Sequence, residues 1–113
     1  MKATLLTPSL EGRVEFAAGH LNRISPMTGC YVISNFADDI LYIGKTVNLQ
    51  KRFMEHIATP EKSVLTQNGR AYWFHFLKVS SESRLSSIER GWLNQYELEE
   101  GCLPVLNKVR API

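Results

Sequence analysis

The stretch "GCYVISNFADDILYIGK", residues 29–45, holds two short apolar runs, each carrying a tyrosine, with an acidic break between them. β-Branched and aromatic residues dominate residues 29–35 and 40–44, and "FADD" supplies turn chemistry, so the pair is expected to form a β-hairpin. Side chains alternate between the two faces of a strand. With an even number of residues in the loop, odd positions oppose even ones, and Tyr31 and Tyr42 share one face.

Working outward, the upstream chain carries Pro8 and then Leu10, Val14, Ala17, Ala18, Leu21 and Ile24 at helical spacing. This predicts an N-terminal helical extension within residues 1–28, weakened by Gly12 and Gly19. Downstream, Asn48 is placed to cap a helix running to about Ile57, with Leu49, Phe53 and Ile57 as its apolar stripe. "ATPEKSVLTQNG" (58–69) reads as an exposed loop and "AYWFHFLKV" (71–79) as a strand. A second helix is expected over about residues 84–99, burying Leu85, Ile88, Trp92, Leu93 and Tyr96. Gly101 ends it, and "LPVLNKV" (103–109) returns as an extended tail. The predicted fold class is α+β, an α/β sandwich: a small three-stranded, mainly antiparallel sheet with an N-terminal hairpin, flanked by helices.

A chain of 113 residues suits a single domain, 1–113, and there is no repeat or low-complexity tract. Thirteen Lys and Arg against eleven Asp and Glu give a net charge of +2, too small to announce a nucleic-acid partner without help from position. Cys30 and Cys102 lack metal-ligand spacing and are expected to be reduced and buried. No apolar run is long enough for a signal-peptide core or a membrane span, so a cytoplasmic location is expected.

Polar residues on apolar faces carry the functional signal. On the first helix, Arg52 and His56 stand at i and i+4 along one edge of the stripe, while Lys51 and Glu55 point away. Taken singly, Arg52 covers apolar surface with its stem and His56 is a boundary residue. On the second helix Glu89 falls about 40° from Leu85, on the face expected to be buried. A carboxylate there needs a cation or a metal, unless Ser86 and Glu89 form a capping box.

These residues resemble the GIY-YIG nuclease superfamily. Its first signature stands here as Gly29-Cys30-Tyr31 and its second as Tyr42-Ile43-Gly44, followed by Lys45. Arg52 occupies the place of the family's helix arginine, and His56 completes an R-x-x-x-H pattern found in part of it. Glu89 corresponds to the metal-binding glutamate on a later helix, and Asn107 after Pro104 to the supporting asparagine. Cys30 departs from the usual aliphatic residue, and its side chain is expected to face away from Tyr31.

The resemblance implies metal-dependent hydrolysis of phosphodiester bonds in DNA, leaving RNA open, with one Mg²⁺ or Mn²⁺ on Glu89. Tyr31 is the family's general base. A free phenol with a pKa of about 10 is roughly one part in a thousand ionised at neutral pH, a cost near 4 kcal/mol. Lys45, Arg52 and the metal are expected to lower it, with Tyr42 or His56 hydrogen-bonding the phenolate; His56 is an alternative base. Arg52 would stabilise phosphate charge, and Gly44, Lys45, Arg52 and Asn107 would bind substrate. So small a chain has little room for a sequence-reading domain, so a long target site would need a homodimer or an accessory protein. Lys62, Arg70 and Lys78 are further candidates for phosphate contacts. The rival readings are an inactive nucleic-acid-binding module of the same fold, and a partner-binding domain in which Glu89 only pairs with Arg52.

Overall fold

The predicted hairpin forms one side of the sheet, its first strand inside and its second at the edge. In a computed structural model describing residues 1–59 and 66–107, β1 (Gly12–Glu15), β2 (Gly29–Ser34), β3 (Ile40–Thr46) and β4 (Trp73–Lys78) form one sheet of order β1-β4-β2-β3. Each pairing is antiparallel. β2 is buried along its whole length, which is why "GCYVIS" reads as a continuous apolar run rather than an alternating one.

Tyr31 opposes Gly44 and Ile33 opposes Tyr42, so the two tyrosines share a face as expected. The reason differs from the one anticipated. Residues 35–39 make a five-residue loop, an odd number, and Ser34 opposes Ile40. The register then shifts between Ser34 and Ile33, leaving Leu41 as the extra residue of a bulge that restores odd-to-even pairing. Asp38 takes a φ of 70° in the turn, and the Asn35 side-chain oxygen accepts from the Asp39 N–H at 2.9 Å.

Two helices cover the two faces. α1 (Leu49–Ala58) begins at Asn48, whose side chain accepts from the Lys51 N–H at 3.0 Å, and it packs Leu49 and Phe53 against Tyr31, Ile33 and Phe74. α2 (Glu82–Glu100) packs Leu85, Ile88, Trp92 and Tyr96 against Cys30, Val32 and Ile43. Burying each such large apolar side chain contributes about 1.5–3 kcal/mol. Cys30 faces α2, away from Tyr31, with its Sγ 3.6 Å from the Leu85 carbonyl oxygen. Gly101 ends α2 with a φ of 78°, a conformation that costs a residue without Cβ little.

Four expectations need correction. Residues 12–15 form a strand rather than part of a helix, with only a 3-10 stretch at Ala18–Arg23, and the sheet therefore has four strands, not three. β4 presents an edge opposite β2; Arg13-Val14-Glu15 alternates exposed, buried, exposed and pairs with it, a larger gain than a helix containing two glycines offers. Residues 103–107 make a turn, the Asn107 N–H donating to the Pro104 carbonyl at 2.9 Å, instead of an extended tail. Cys102 is exposed rather than buried. Residues 60–65 of the expected loop, Lys62 included, and the end of the expected tail, residues 108–109, lie outside the described residues.

Candidate active site

Tyr31 is fully buried on the α1 face. Its hydroxyl lies 2.6 Å from His56 Nε2, and its ring stacks between Phe74 and Tyr42 at centroid distances of 5.1 and 6.0 Å. His56 is also fully buried, so the boundary position expected for it is wrong. The stripe of α1 rotates toward His56 because Tyr31 offers it a polar partner inside the core, while Ile57 is left only partly covered. Tyr42 completes the cluster, its ring 5.1 Å from that of His56.

Gly44 makes room for this arrangement. A Cβ there would stand 2.5 Å from Tyr31 Cζ and 2.9 Å from Tyr42 Cε2. The glycine of the second signature thus accommodates the tyrosine of the first.

Burial pushes the Tyr31 phenol well above the usual value of 10, the neighbouring Tyr42 adds to the rise, and Arg52 opposes it without prevailing. Tyr42 is also raised by burial, against the Tyr31 hydrogen bond and Arg52. The expected lowering by nearby positive charge is therefore outweighed by desolvation in the protein alone.

The rest of the site is more open. Lys45 Nζ donates to Ser86 Oγ at 2.7 Å and lies 3.8 Å from the Glu89 carboxylate, whose side chain is 24% exposed. Glu89 is thus at the margin of the packed face, not on it. The buried arc centres on Leu85, Ile88, Trp92 and Tyr96, and Leu93, on the other side of Glu89, is only partly covered. Ser81 occupies the helix N-cap position, so Ser86 and Glu89 form no capping box. Arg52 Nε pairs with Glu55 at 3.0 Å, contrary to the expectation that Glu55 points away, and the cation beside Glu89 is Lys45 rather than Arg52. Lys45, Arg52 and Ser86 line one cleft of about 370 Å³ between the starts of α1 and α2. Sequence reasoning missed Ser86 as the partner of Lys45; its only signal is a position one turn before Glu89.

Asn107 acts from behind β3. Its Oδ1 accepts from the Ile43 N–H and its Nδ2 donates to the Ile43 carbonyl, both at 2.9 Å, extending the sheet edge with a side-chain amide. Lys78 lies 3.6 Å from Glu11, and Arg70 lines a separate surface cleft with Phe36 and Tyr72.

Among the described residues no three His, Cys, Asp or Glu side chains gather to hold a metal. Glu89 offers one carboxylate at a partly solvated position. That donor set fits Mg²⁺, which keeps several waters and takes one or two carboxylates together with substrate phosphate.

A small antiparallel sheet between two helices, with a phenol–imidazole pair on one face and an amine beside a carboxylate at the rim, defines an α+β domain. Residues 27–100 match the GIY-YIG catalytic domain, and the chain belongs to that family. No curated protein sequence gives a significant match. Membership implies a nuclease-type activity, phosphodiester hydrolysis on a nucleic-acid substrate, and the family's nucleases generally depend on divalent metal. Among the described residues, no helix is long and apolar enough to cross a membrane.

Proposed function

We propose that the protein is a metal-dependent endonuclease that hydrolyses phosphodiester bonds in DNA, with Tyr31 and His56 working as one proton relay. The 2.6 Å contact between the Tyr31 hydroxyl and His56 Nε2 carries this reading. A buried phenol held well above its ordinary value is a poor source of phenolate, so Tyr31 needs somewhere to send its proton as it takes one from water. His56 supplies that acceptor when Nε2 bears the lone pair and Nδ1 the proton. The phenol then passes its proton inward while its oxygen accepts one from the attacking water, and no free phenolate has to persist in the core. Tyr42 fixes the orientation of both rings.

Arg52, beside the relay and open to the cleft, stabilises charge developing on the phosphate oxygens. Lys45, held by Ser86 and near Glu89, places a second positive charge at the same rim. Glu89 would hold Mg²⁺ or Mn²⁺, which when bound supplies Lewis-acid stabilisation of the scissile phosphate and leaving oxygen. Asn107 is a positioning residue that fixes the backbone between Tyr42 and Gly44, and its engaged amide argues against the direct substrate contact first expected of it. The unit acting is the single domain, with specificity for a long site coming from a homodimer or an accessory protein.

The test incubates supercoiled plasmid with the wild-type protein and Glu89→Ala, each checked for folding, in Mg²⁺, Mn²⁺ or EDTA. Nicking or linearisation by the wild type, abolished by EDTA and absent in the variant, is the expected result. Folded wild-type protein that binds DNA without cutting it under any of these conditions would favour the inactive binding module.

A further inference from the structure

At the far end of the sheet from the start of α1, three aromatic rings meet at the surface. Tyr72 stands edge-on to Phe36 at 4.9 Å and to Trp73 at 4.8 Å, while Phe36 and Trp73 lie within 25° of parallel. Phe36 is 70% exposed and Tyr72 is 37% exposed. The Arg13 guanidinium covers one face of Trp73, 3.8 Å from its centroid, and exposed Arg70 lines the adjoining cleft of about 360 Å³ with Phe36 and Tyr72. Trp73 Nε1 donates to the Phe36 carbonyl at 3.3 Å, which ties the loop carrying Phe36 to β4.

We infer that this cluster is a stacking platform for unpaired bases of the nucleic-acid substrate outside the cleft; the inference rests on the nuclease reading above. Three observations carry it. The rings are organised by one another and need no ordering on binding, and Phe36 keeps most of its surface toward solvent, which suits sequence-tolerant stacking of a base. The acidic turn beneath them does not present free negative charge: Asp38 pairs with Arg13 at 2.6 Å and Asp39 with Lys2 at 3.0 Å, leaving Arg70 to face a phosphate. Finally, the platform shares β2 with the site: Ser34 pairs with Trp73 three residues beyond Tyr31, about 10 Å along the strand and on the opposite face of the sheet. An unpaired flank reaches it by passing the end of the sheet.

The measurement is fluorescence anisotropy in EDTA, where no cleavage occurs, with a labelled blunt duplex and the same duplex bearing a five-nucleotide unpaired flank. Phe36→Ala, at an exposed position, is expected to weaken binding of the flanked duplex about tenfold and of the blunt duplex less than about twofold, with Tyr72→Leu following the same pattern. Equal losses on both duplexes, or no loss on either, would overturn the platform. So would a wild-type dimer in sedimentation that Phe36→Ala dissociates, since a second copy would then occupy the surface. If wild type binds neither duplex and cuts no plasmid, the nuclease reading falls and takes this inference with it. If wild type binds and cuts while Phe36→Ala changes neither affinity, the platform alone falls.

Discussion

The sheet carries two buried histidine–hydroxyl pairs, one on each face, and their surroundings differ. Tyr31 and His56 meet at 2.6 Å on the α1 face; Ser34 and His75 meet at 2.8 Å on the other. The Ser34 hydroxyl also donates to the Asn35 carbonyl at 3.1 Å, so toward His75 it acts as an acceptor, and the proton on that side belongs to the imidazole. Asp38 approaches the same Nε2, at 3.6 Å, and is itself held by Arg13. His75 is therefore a donor pinning the hairpin loop to β4, with no route by which it could activate a nucleophile. Around Tyr31 and His56 stand a second phenol, a guanidinium and an open rim with Lys45 and Glu89. A histidine beside a hydroxyl marks a site only when the proton can move from the hydroxyl and a charge-stabilising group waits nearby.

The largest effect expected separates the open rim from both buried pairs. Glu89→Gln should lower DNA cleavage about a thousandfold, the scale of losing a metal-stabilised transition-state charge. Because the side chain is at the margin of the core, thermal unfolding should move by no more than about 2 °C, a surface-scale effect. A variant that melts far earlier would show that Glu89 supports the fold.

Substitutions within the pairs sharpen the contrast next. Tyr31→Phe keeps the ring and removes the proposed relay, so turnover should fall about a hundredfold. His56→Ala should lose activity and about 2–4 kcal/mol of stability in urea unfolding, since it also opens a cavity. His75→Ala should cost about 1–3 kcal/mol of stability and leave turnover per folded molecule unchanged. Equal loss of turnover in both histidine variants would erase the distinction between the two pairs.

Acid offers a third lever. Burial holds His75 down at about 4, with Arg13 lowering it further and Asp38 opposing, against an ordinary value of 6.5. Between these values the unfolded chain binds more protons than the native one. The stabilisation is thus complete above pH 6.5 and is lost as pH falls toward 4, by up to about 3 kcal/mol. Urea midpoints measured from pH 7 to 4.5 should fall in the wild type and fall less steeply in His75→Gln. Matching slopes would mean that other groups dominate.

The packing beneath Tyr31 offers the last lever. Gly44→Ala should destabilise by about 1–3 kcal/mol, because the new methyl meets a ring wedged between Phe74 and Tyr42. Turnover should fall with the displaced phenol. An unchanged melting temperature would show that the ring can retreat.

The two signature strands, the Asn48 cap, the second helix and its glycine end were legible in the sequence because each rests on local rules: strand composition, capping chemistry and conformational preference. The helix residues proposed for the site stood out as polar groups set on or beside apolar stripes. Residues 12–15 were misread because their spacing satisfies a helix as well as a strand, and only the unpaired edge of β4 decides between them. The depth of His56, the solvation of Glu89 and the partner of Lys45 were likewise decided by tertiary packing. A helical wheel orders side chains around an axis, but how far each sinks depends on what the opposing surface offers. Tyr31 offers His56 a hydrogen bond inside the core, and Glu89, beside partly covered Leu93 at the margin of the packed face, stays in reach of water. Local sequence thus determined which groups this protein carries, and the assembled sheet determined which of them are dry, which are wet and which can exchange a proton.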